Sequence, residues 1–182
     1  MNSPQRKVVH AWIPLLLWLV VISLESTRLF TGEATSGWLL RILSHFERVS
    51  LHQVVFLNYL LRKTGHFVGY AILSWLAFHG WMETLAYRTE RAIQRAGKKA
   101  VVPRRWHLRA AVLAVVCTFV VACLDEIHQS FIPGRTGVFH DVVLDTMGGI
   151  FAQFILLLYW TVKEKRDRQR VDRASTVIAS TE

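Results

Sequence analysis

The stretch Asp125-Glu126-Ile127-His128-Gln129-Ser130-Phe131-Ile132-Pro133-Gly134-Arg135 separates two long apolar runs, residues 108–124 and 142–162. Each run is close to the ~20 residues that a membrane-spanning helix needs. Acidic residues at the rim of such a helix are costly to place, and they are functional-site candidates by default. The proline and glycine favour a turn. The pattern therefore predicts two antiparallel helices with a polar cluster where they join.

Two further apolar runs, residues 8–24 and 66–82, have similar lengths. None of the four runs carries the polar stripe expected of a surface helix in a soluble bundle. The chain has 182 residues, of which 52% are hydrophobic, and this length suggests one domain. We therefore predict an all-α polytopic membrane bundle with about four transmembrane helices in residues 8–162, between an N-terminal segment 1–7 and a basic tail 163–182.

The formal net charge of +9 is concentrated in three places: the N-terminal segment, the connection between the second and third apolar runs, and the tail. Loops rich in lysine and arginine stay on the cytoplasmic side of a membrane, and an even number of spans puts all three there. This predicts a multi-pass membrane protein with cytoplasmic termini. Because the basic residues flank spans, topology and anionic lipids explain them, and no nucleic-acid partner is expected.

The segment between the first two runs predicts a helix of its own. After Thr35 and Ser36, a plausible N-cap, apolar residues fall at helical spacing. They are Trp38, Leu39, Ile42, Leu43, Phe46 and Val49. This amphipathic pattern is equally typical of an interfacial helix on the outer leaflet and of a short helix packed on the bundle. Residues 53–61 should continue directly into the second span. The cytoplasmic segment 83–107 should begin as a helical extension of that span and then turn near Gly97 and Pro103.

Helical spacing gathers polar side chains at the outer ends of three spans, since residues three and four apart share a face. We predict three proton-handling groups, Glu126, Asp125 and His66, and six headgroup-binding groups, Lys63, Arg135, Gln129, Tyr70, Asp141 and Asp145. Arginine and lysine suit phosphate, pyrophosphate or carboxylate groups. A buried carboxylate or a histidine can serve as a general acid or base.

Two alternatives weigh against that chemistry. Lys63 and Arg135 could simply neutralise the carboxylates and pin helix ends together, because buried charges are usually paired. A metal could join histidines and carboxylates, yet a helix splays Glu126 and His128, and no H-E-x-x-H motif is present. We therefore predict no metal and no cofactor.

At these residues the chain resembles the VanZ-like family of bacterial membrane proteins. The resemblance rests on the ordered set K-x-x-H-F-x-x-Y at residues 63–70, D-E-x-x-Q-x-F-x-P-x-R at 125–135 and D-x-x-x-N-x-x-G at 141–148. The chain departs at Asp145, where the family pattern usually has asparagine. The resemblance covers about residues 12–160. It implies a small helical protein of the bacterial cytoplasmic (inner) membrane, as part of the cell envelope, and a link to resistance against teicoplanin-type glycopeptides.

Three functions remain in competition at this stage. The first is an outer-leaflet site that binds, and could modify, an anionic lipid or lipid-linked precursor. The second is a non-catalytic membrane module whose polar cluster is structural. The third is a small transporter, for which four spans per chain make a thin pathway. The expected partners are membrane lipids or a lipid-linked precursor, with a second copy of the chain as the candidate protein partner.

Overall fold

The computed structural model describes residues 3–27, 31–45, 50–96, 105–132 and 137–179. These residues form five α-helices and no β-strand, which confirms the all-α prediction. The helices are α1 Ser3–Glu25, α2 Gly32–Leu43, α3 Leu51–Ala96, α4 Arg105–Ser130 and α5 Phe139–Ala179. Of the predicted features, Arg135, Phe46, Val49 and the turn near Gly97 and Pro103 lie outside the described residues.

The central element is α3, which packs against each of the other four helices. Its buried side chains include Tyr70, Leu73 and Phe78. Opposite them, α4 presents buried alanines, among them Ala110 and Ala114, whose small side chains let the helices approach closely. Polar side chains also cross between helices: Trp18 Nε1 of α1 donates to the Gly69 carbonyl at 2.8 Å, and Gln153 Nε2 of α5 donates to the Ser74 carbonyl at 2.9 Å.

The outside of the bundle is apolar. Leu17 on α1, Val116 on α4 and Phe154 on α5 are each more than half exposed. Such a continuous apolar exterior is unlike that of a soluble monomer and fits contact with lipid. Three helices are long and apolar enough to cross a membrane, namely Pro4–Glu25, Trp106–Ser130 and Phe139–Arg170. Composition, packing and exterior together describe the helical bundle of a membrane protein.

The predicted second span, residues 66–82, lies inside α3, which is not among those three helices. The mean hydropathy of residues 66–82 is lowered by His66, Ser74, His79 and two glycines. Two of these polar residues face the protein, since Ser74 is wholly buried and His66 is partly buried. A helix that turns polar residues inward can cross a bilayer with a modest average hydropathy. The fourth span stays a prediction.

The extensions predicted for the second span are confirmed, because α3 is one continuous helix of 46 residues. At 1.5 Å per residue it is about 69 Å long, more than twice the ~30 Å hydrocarbon thickness. The basic tail also continues α5 as a helix through Ala179. Both helices therefore reach well beyond an apolar layer.

The predicted N-cap of the short amphipathic helix was wrong. The cap of α2 is Thr31, whose side chain accepts from Ala34 N at 3.4 Å, whereas Thr35 and Ser36 lie inside the helix. Thr35 instead donates its hydroxyl to the Thr31 carbonyl at 2.9 Å. Glu33 in the first turn complements the helix dipole, which favours the earlier start. The helix packs on α3 and ends at Leu43.

Because successive long helices run antiparallel, the bundle has two chemically different ends. The polar end contains the C-termini of α1 and α4, the N-terminus of α5, and α2 with the first half of α3. The opposite, basic end contains the N-terminus of α1 and the C-terminal turns of α3 and α5. Trp12 and Thr84 mark the basic half, where Trp12 Nε1 donates to the threonine hydroxyl at 3.0 Å.

Candidate functional site

Asp125 is the hub of the polar end. Its carboxylate accepts from the Tyr70 hydroxyl at 3.1 Å and from Gln129 Nε2 at 2.7 Å, and it also accepts from the Ser26 hydroxyl. All four side chains are buried. The carboxylate thus joins the end of α1 to α3 and to its own helix α4. Three donors are a full set for a buried carboxylate, so this group is well placed to hold the bundle together.

Glu126, the next residue on α4, connects to the beginning of α5. One carboxylate oxygen, Oε2, accepts from the backbone N–H of Val138 at 2.7 Å. The other oxygen, Oε1, is buried without a hydrogen bond among the described residues. The chain passes so close here that a Cβ on Gly137 would lie 2.6 Å from the Glu126 carbonyl oxygen. Glycine at that position therefore allows the approach.

Lys63 and Asp141 form an ion pair between α3 and the first turn of α5. The lysine side chain is 31% exposed and the aspartate side chain 19% exposed, so the pair stands at the rim and not in the core. The Lys63 ammonium also lies 5.6 Å from the centroid of the Tyr59 ring. This pair is the kind of charge neutralisation that the sequence offered as an alternative to headgroup binding.

His66 and Asp145 form a second contact between ionisable groups of α3 and α5. The imidazole Nδ1 lies 3.3 Å from Asp145 Oδ1, and the aspartate side chain has no exposed surface. Neither carboxylate oxygen of Asp145 has a hydrogen-bond donor within the described ranges. A wholly buried carboxylate without donors is unusual and calls for an explanation. His66 is the only cation-capable side chain paired with it in the part of the chain that the structure describes.

His66 also faces open space. Nδ1 is buried against Asp145, while 22% of the side-chain surface is accessible, so the exposed part belongs to the other ring atoms. The ring lies parallel to that of Tyr70, with centroids 6.4 Å apart. An imidazole whose Nδ1 side faces a carboxylate keeps Nε2 available to exchange a proton with a bound molecule.

The polar cavity beside His66 has a volume of about 520 Å³. Arg62, Lys63 and His66 of α3 line it, together with Gln129 of α4 and Asp141 of α5; Glu33 and Ser36 of α2 complete the wall. Among the described residues, Arg62 makes no hydrogen bond or ion pair. Its guanidinium lies against the first residue of α2, since a Cβ on Gly32 would be 2.8 Å from Nη1.

A second cavity, of about 350 Å³, lies between α2 and α3. We call it the α2 groove and define it by Trp38, Leu39 and Ile42 of α2 with Leu61 and Gly65 of α3. These residues are apolar, while the remaining lining residues are polar, namely Glu25, Thr35, Asn58, Arg62 and His66. The groove and the polar cavity share three lining residues, Asn58, Arg62 and His66. Since these follow at intervals of four on α3, they form one stripe that separates the two spaces.

Asn58 fixes α2 above that stripe. Its side-chain amide, which is buried, donates to the Gly32 carbonyl at 3.0 Å and to the Ser36 hydroxyl at 2.8 Å. Both acceptors lie in the first half of α2. The second half, from Trp38 onward, borders the groove. The same asparagine therefore positions the helix that forms one wall of each cavity.

Eight of the nine predicted site residues lie together at the polar end; the ninth, Arg135, is outside the described residues. Only some of the eight line the polar cavity, namely Lys63, His66, Gln129 and Asp141. The predicted set of site residues did not include Ser26, Asn58 or Arg62. The last two carried a signal, because residues 58, 62 and 66 share a helix face once α3 is extended toward its N-terminus. Ser26, just past the end of α1, carried none.

The site combines an arginine, an ion pair and a histidine backed by a buried carboxylate. Among the described residues, no group of three histidine, cysteine or acidic side chains is arranged to hold a metal ion. The arrangement can hold an anion at Arg62 and can accept or donate a proton at His66.

Comparison with known proteins gives one result. The family model described as VanZ/LLP1 matches residues 11–162, which is most of the chain and includes the complete polar end. No curated protein and no solved structure matches the chain.

Proposed function

Since the chain belongs to the VanZ/LLP1 family, we propose that it is a bacterial envelope membrane protein that binds the phosphate-bearing headgroup of an anionic lipid or lipid-linked precursor. The observation that carries this proposal is the polar cavity, in which Arg62 stands without a protein partner among the described residues beside His66. Arginine is suited to phosphate because its planar fork donates two parallel hydrogen bonds.

The chemistry proposed for the bound lipid is proton transfer at His66. Asp145 is the positioning residue, because its carboxylate lies 3.3 Å from Nδ1 and leaves Nε2 for the ligand. A general base so placed can activate a water molecule or a hydroxyl of the lipid itself. A changed envelope lipid is also the route that we propose for any effect on sensitivity to teicoplanin-type glycopeptides.

The proposed orientation places the polar end at the outer leaflet of the cytoplasmic membrane, with four spans and both termini in the cytoplasm. Its support is the charge at the opposite end. Arg6 and Lys7 lie in the first turns of α1, Arg88, Arg91 and Arg95 lie near the end of α3, and the basic tail extends α5. Positive charge of this kind is retained on the cytoplasmic side.

Replacing Arg62 by glutamine is expected to weaken headgroup binding about tenfold, since a hydrogen bond to a charged group contributes roughly 1.5–3 kcal/mol. Arg41, at the exposed end of α2 and outside both cavities, provides the matched control Arg41→Gln. The affinity of each purified variant for dioleoyl phosphatidic acid is measured by titration in neutral detergent, with native mass spectrometry as the readout. Equal affinity of the two variants would contradict the role of Arg62.

Replacing His66 by glutamine is expected to reduce any protein-dependent lipid product about 100-fold, because general acid–base groups typically contribute 10²–10⁴ in rate. His79→Gln, on an exposed part of the same helix, is the control and should retain wild-type product. Each protein is expressed in a strain lacking it, and total envelope lipids are compared by mass spectrometry. Detergent melting curves verify that both variants are folded.

The outcomes separate the two parts of the proposal. A lipid that changes with wild type and His79→Gln but not with folded His66→Gln supports modification at His66. A lipid change that survives His66→Gln refutes that role. Unchanged lipids with the wild-type protein refute modification of the lipids sampled. Headgroup binding is then tested independently by the affinity measurement on Arg62→Gln.

A non-catalytic module is the second candidate function, and the hub at Asp125 favours it. A carboxylate with three donors from three parts of the chain is what a purely structural cluster needs. On that interpretation His66→Gln and Asp145→Asn would lower the melting temperature and would change no lipid. The same lipid comparison, with its melting curves, distinguishes this candidate from the first.

A further inference from the structure

We propose that the α2 groove holds the hydrocarbon chain of the same molecule whose headgroup occupies the polar cavity, so that the ligand straddles the Asn58–Arg62–His66 stripe beneath α2. The inference rests on the headgroup site of the proposed function and adds a second subsite to it. It defines the ligand class as an amphiphile with its head–tail junction at Arg62 and His66.

The first argument is that the two spaces are adjacent. A ligand that occupies both has to cross the stripe at Arg62 and His66, because both residues line both cavities. On one side stand Lys63, Asp141 and Gln129, and on the other stand Leu39 and Leu61. Headgroup chemistry and hydrocarbon chemistry are therefore divided at the residues that can hold a phosphate and move a proton.

The second argument is the composition of the groove. Trp38 is 48% exposed and Ile42 is 59% exposed at its edge, so the apolar side of α2 has no full protein cover. Apolar surface that is left open next to a polar site favours an apolar ligand segment over water. A hydrocarbon chain attached to the headgroup is the occupant that satisfies both halves of the site.

Gly65 gives the groove its space on the α3 side. A Cβ added there would meet no heavy atom within 4 Å, so a larger side chain can enter the groove without displacing protein. Gly37, on α2 and outside both cavities, has equally open surroundings. Gly65→Leu and Gly37→Leu are thus a matched pair, in which the same exchange fills the groove in one case and exposed space in the other.

The probe is phosphatidic acid that carries a photoreactive diazirine in one acyl chain, in nanodiscs of phosphatidylcholine with the full-length protein. After irradiation, peptide mass spectrometry locates the cross-links. We expect them at residues 38–42 and 61–65, with yields about tenfold lower in Gly65→Leu, since an overfilled site costs roughly 1–3 kcal/mol. Gly37→Leu should retain the wild-type yield. Phosphatidylcholine with the same diazirine chain is the headgroup control.

If the melting curve shows that Gly65→Leu is unfolded, Ile42→Trp is used in its place, because the larger side chain fills the groove from the opposite wall. Two results would refute the groove as the chain-binding subsite: cross-links outside the groove, or cross-links whose yield the filling variant does not change. If phosphatidic acid binding still depends on Arg62 in that case, the headgroup site is unaffected. Equal labelling by phosphatidylcholine would instead refute the headgroup site, and with it the claim that one molecule fills both spaces.

Discussion

Replacing Gly148 by alanine is expected to destabilise the protein by about 3 kcal/mol, the upper part of the range for overfilling a packed interior. The added Cβ would overlap the backbone carbonyl of Phe67, so α3 and α5 would have to move apart. Backbone atoms, unlike the end of a flexible side chain, cannot rotate away. Thermal melting in detergent measures the effect, expected as a decrease of roughly 6–12 °C in Tm for a chain of this size.

Gly65→Ala is the control for this change, because its Cβ would meet open space on the same central helix. Alanine is favoured over glycine inside a helix by up to about 1 kcal/mol, so this variant should melt at or slightly above the wild-type temperature. If Gly148→Ala and Gly65→Ala had the same Tm, the close contact between α3 and α5 would not contribute to stability.

The contact at Gly148 also positions the candidate site. Phe67 adjoins His66 in the chain, and Gly148 follows Asp145 by three residues, which is close to one helical turn. The distance between the imidazole and the carboxylate is therefore set by how closely the two backbones approach. We expect any Gly148→Ala protein that remains folded to lose the protein-dependent lipid product along with the 3.3 Å contact.

Replacing Asp125 by alanine is expected to destabilise the protein by roughly 3 kcal/mol, because each buried donor left without an acceptor costs about 1–3 kcal/mol. Three donors lose their acceptor at once: the hydroxyls of Ser26 and Tyr70 and the amide of Gln129. Partial re-pairing remains, since Gln129 Nε2 is already 3.4 Å from the Ser26 hydroxyl. Detergent melting curves are again the measurement.

Asp141→Ala is the matched control for that experiment, as it removes an aspartate whose ion pair with Lys63 stands at the rim. Because the pair is only partly buried and remains in contact with solvent, it is expected to contribute roughly 1 kcal/mol, so this variant should lose clearly less Tm than Asp125→Ala. The reverse order of stability, with Asp141→Ala the weaker protein, would contradict the assignment of Asp125 as the hub.

The helices were the most predictable part of the structure. Apolar runs of membrane length mark α1, α4 and α5 in the sequence, and α3 follows from apolar residues on both sides of Lys63. The start of α2 was not predictable from residue types, because Thr31, Thr35 and Ser36 are all capable of capping a helix. Only the backbone decides among them, and it places Thr31 outside the helix and Thr35 inside.

The candidate site was predictable as a group and not as a set of contacts. The alternating direction of successive long helices brings residues 63–70, 125–129 and 141–145 to the same end, as the sequence indicated. Which side chains touch depends on the rotation of each helix about its axis, and this is decided by close contacts such as that of Gly148 with Phe67. For that reason the pairing of Lys63 with Asp141, and of His66 with Asp145, could not be derived from spacing.

The attachment of α2 has a consequence for how a ligand arrives. The helix is hydrogen-bonded to Asn58 only through its first half, while Trp38 and Ile42 leave an apolar edge beside the groove. On the proposed function, we expect a lipid that follows this edge to reach His66 sideways, without leaving the bilayer. Occupancy of the site is then governed by the mole fraction of that lipid in one leaflet, and a water-soluble headgroup analogue competes with it only weakly.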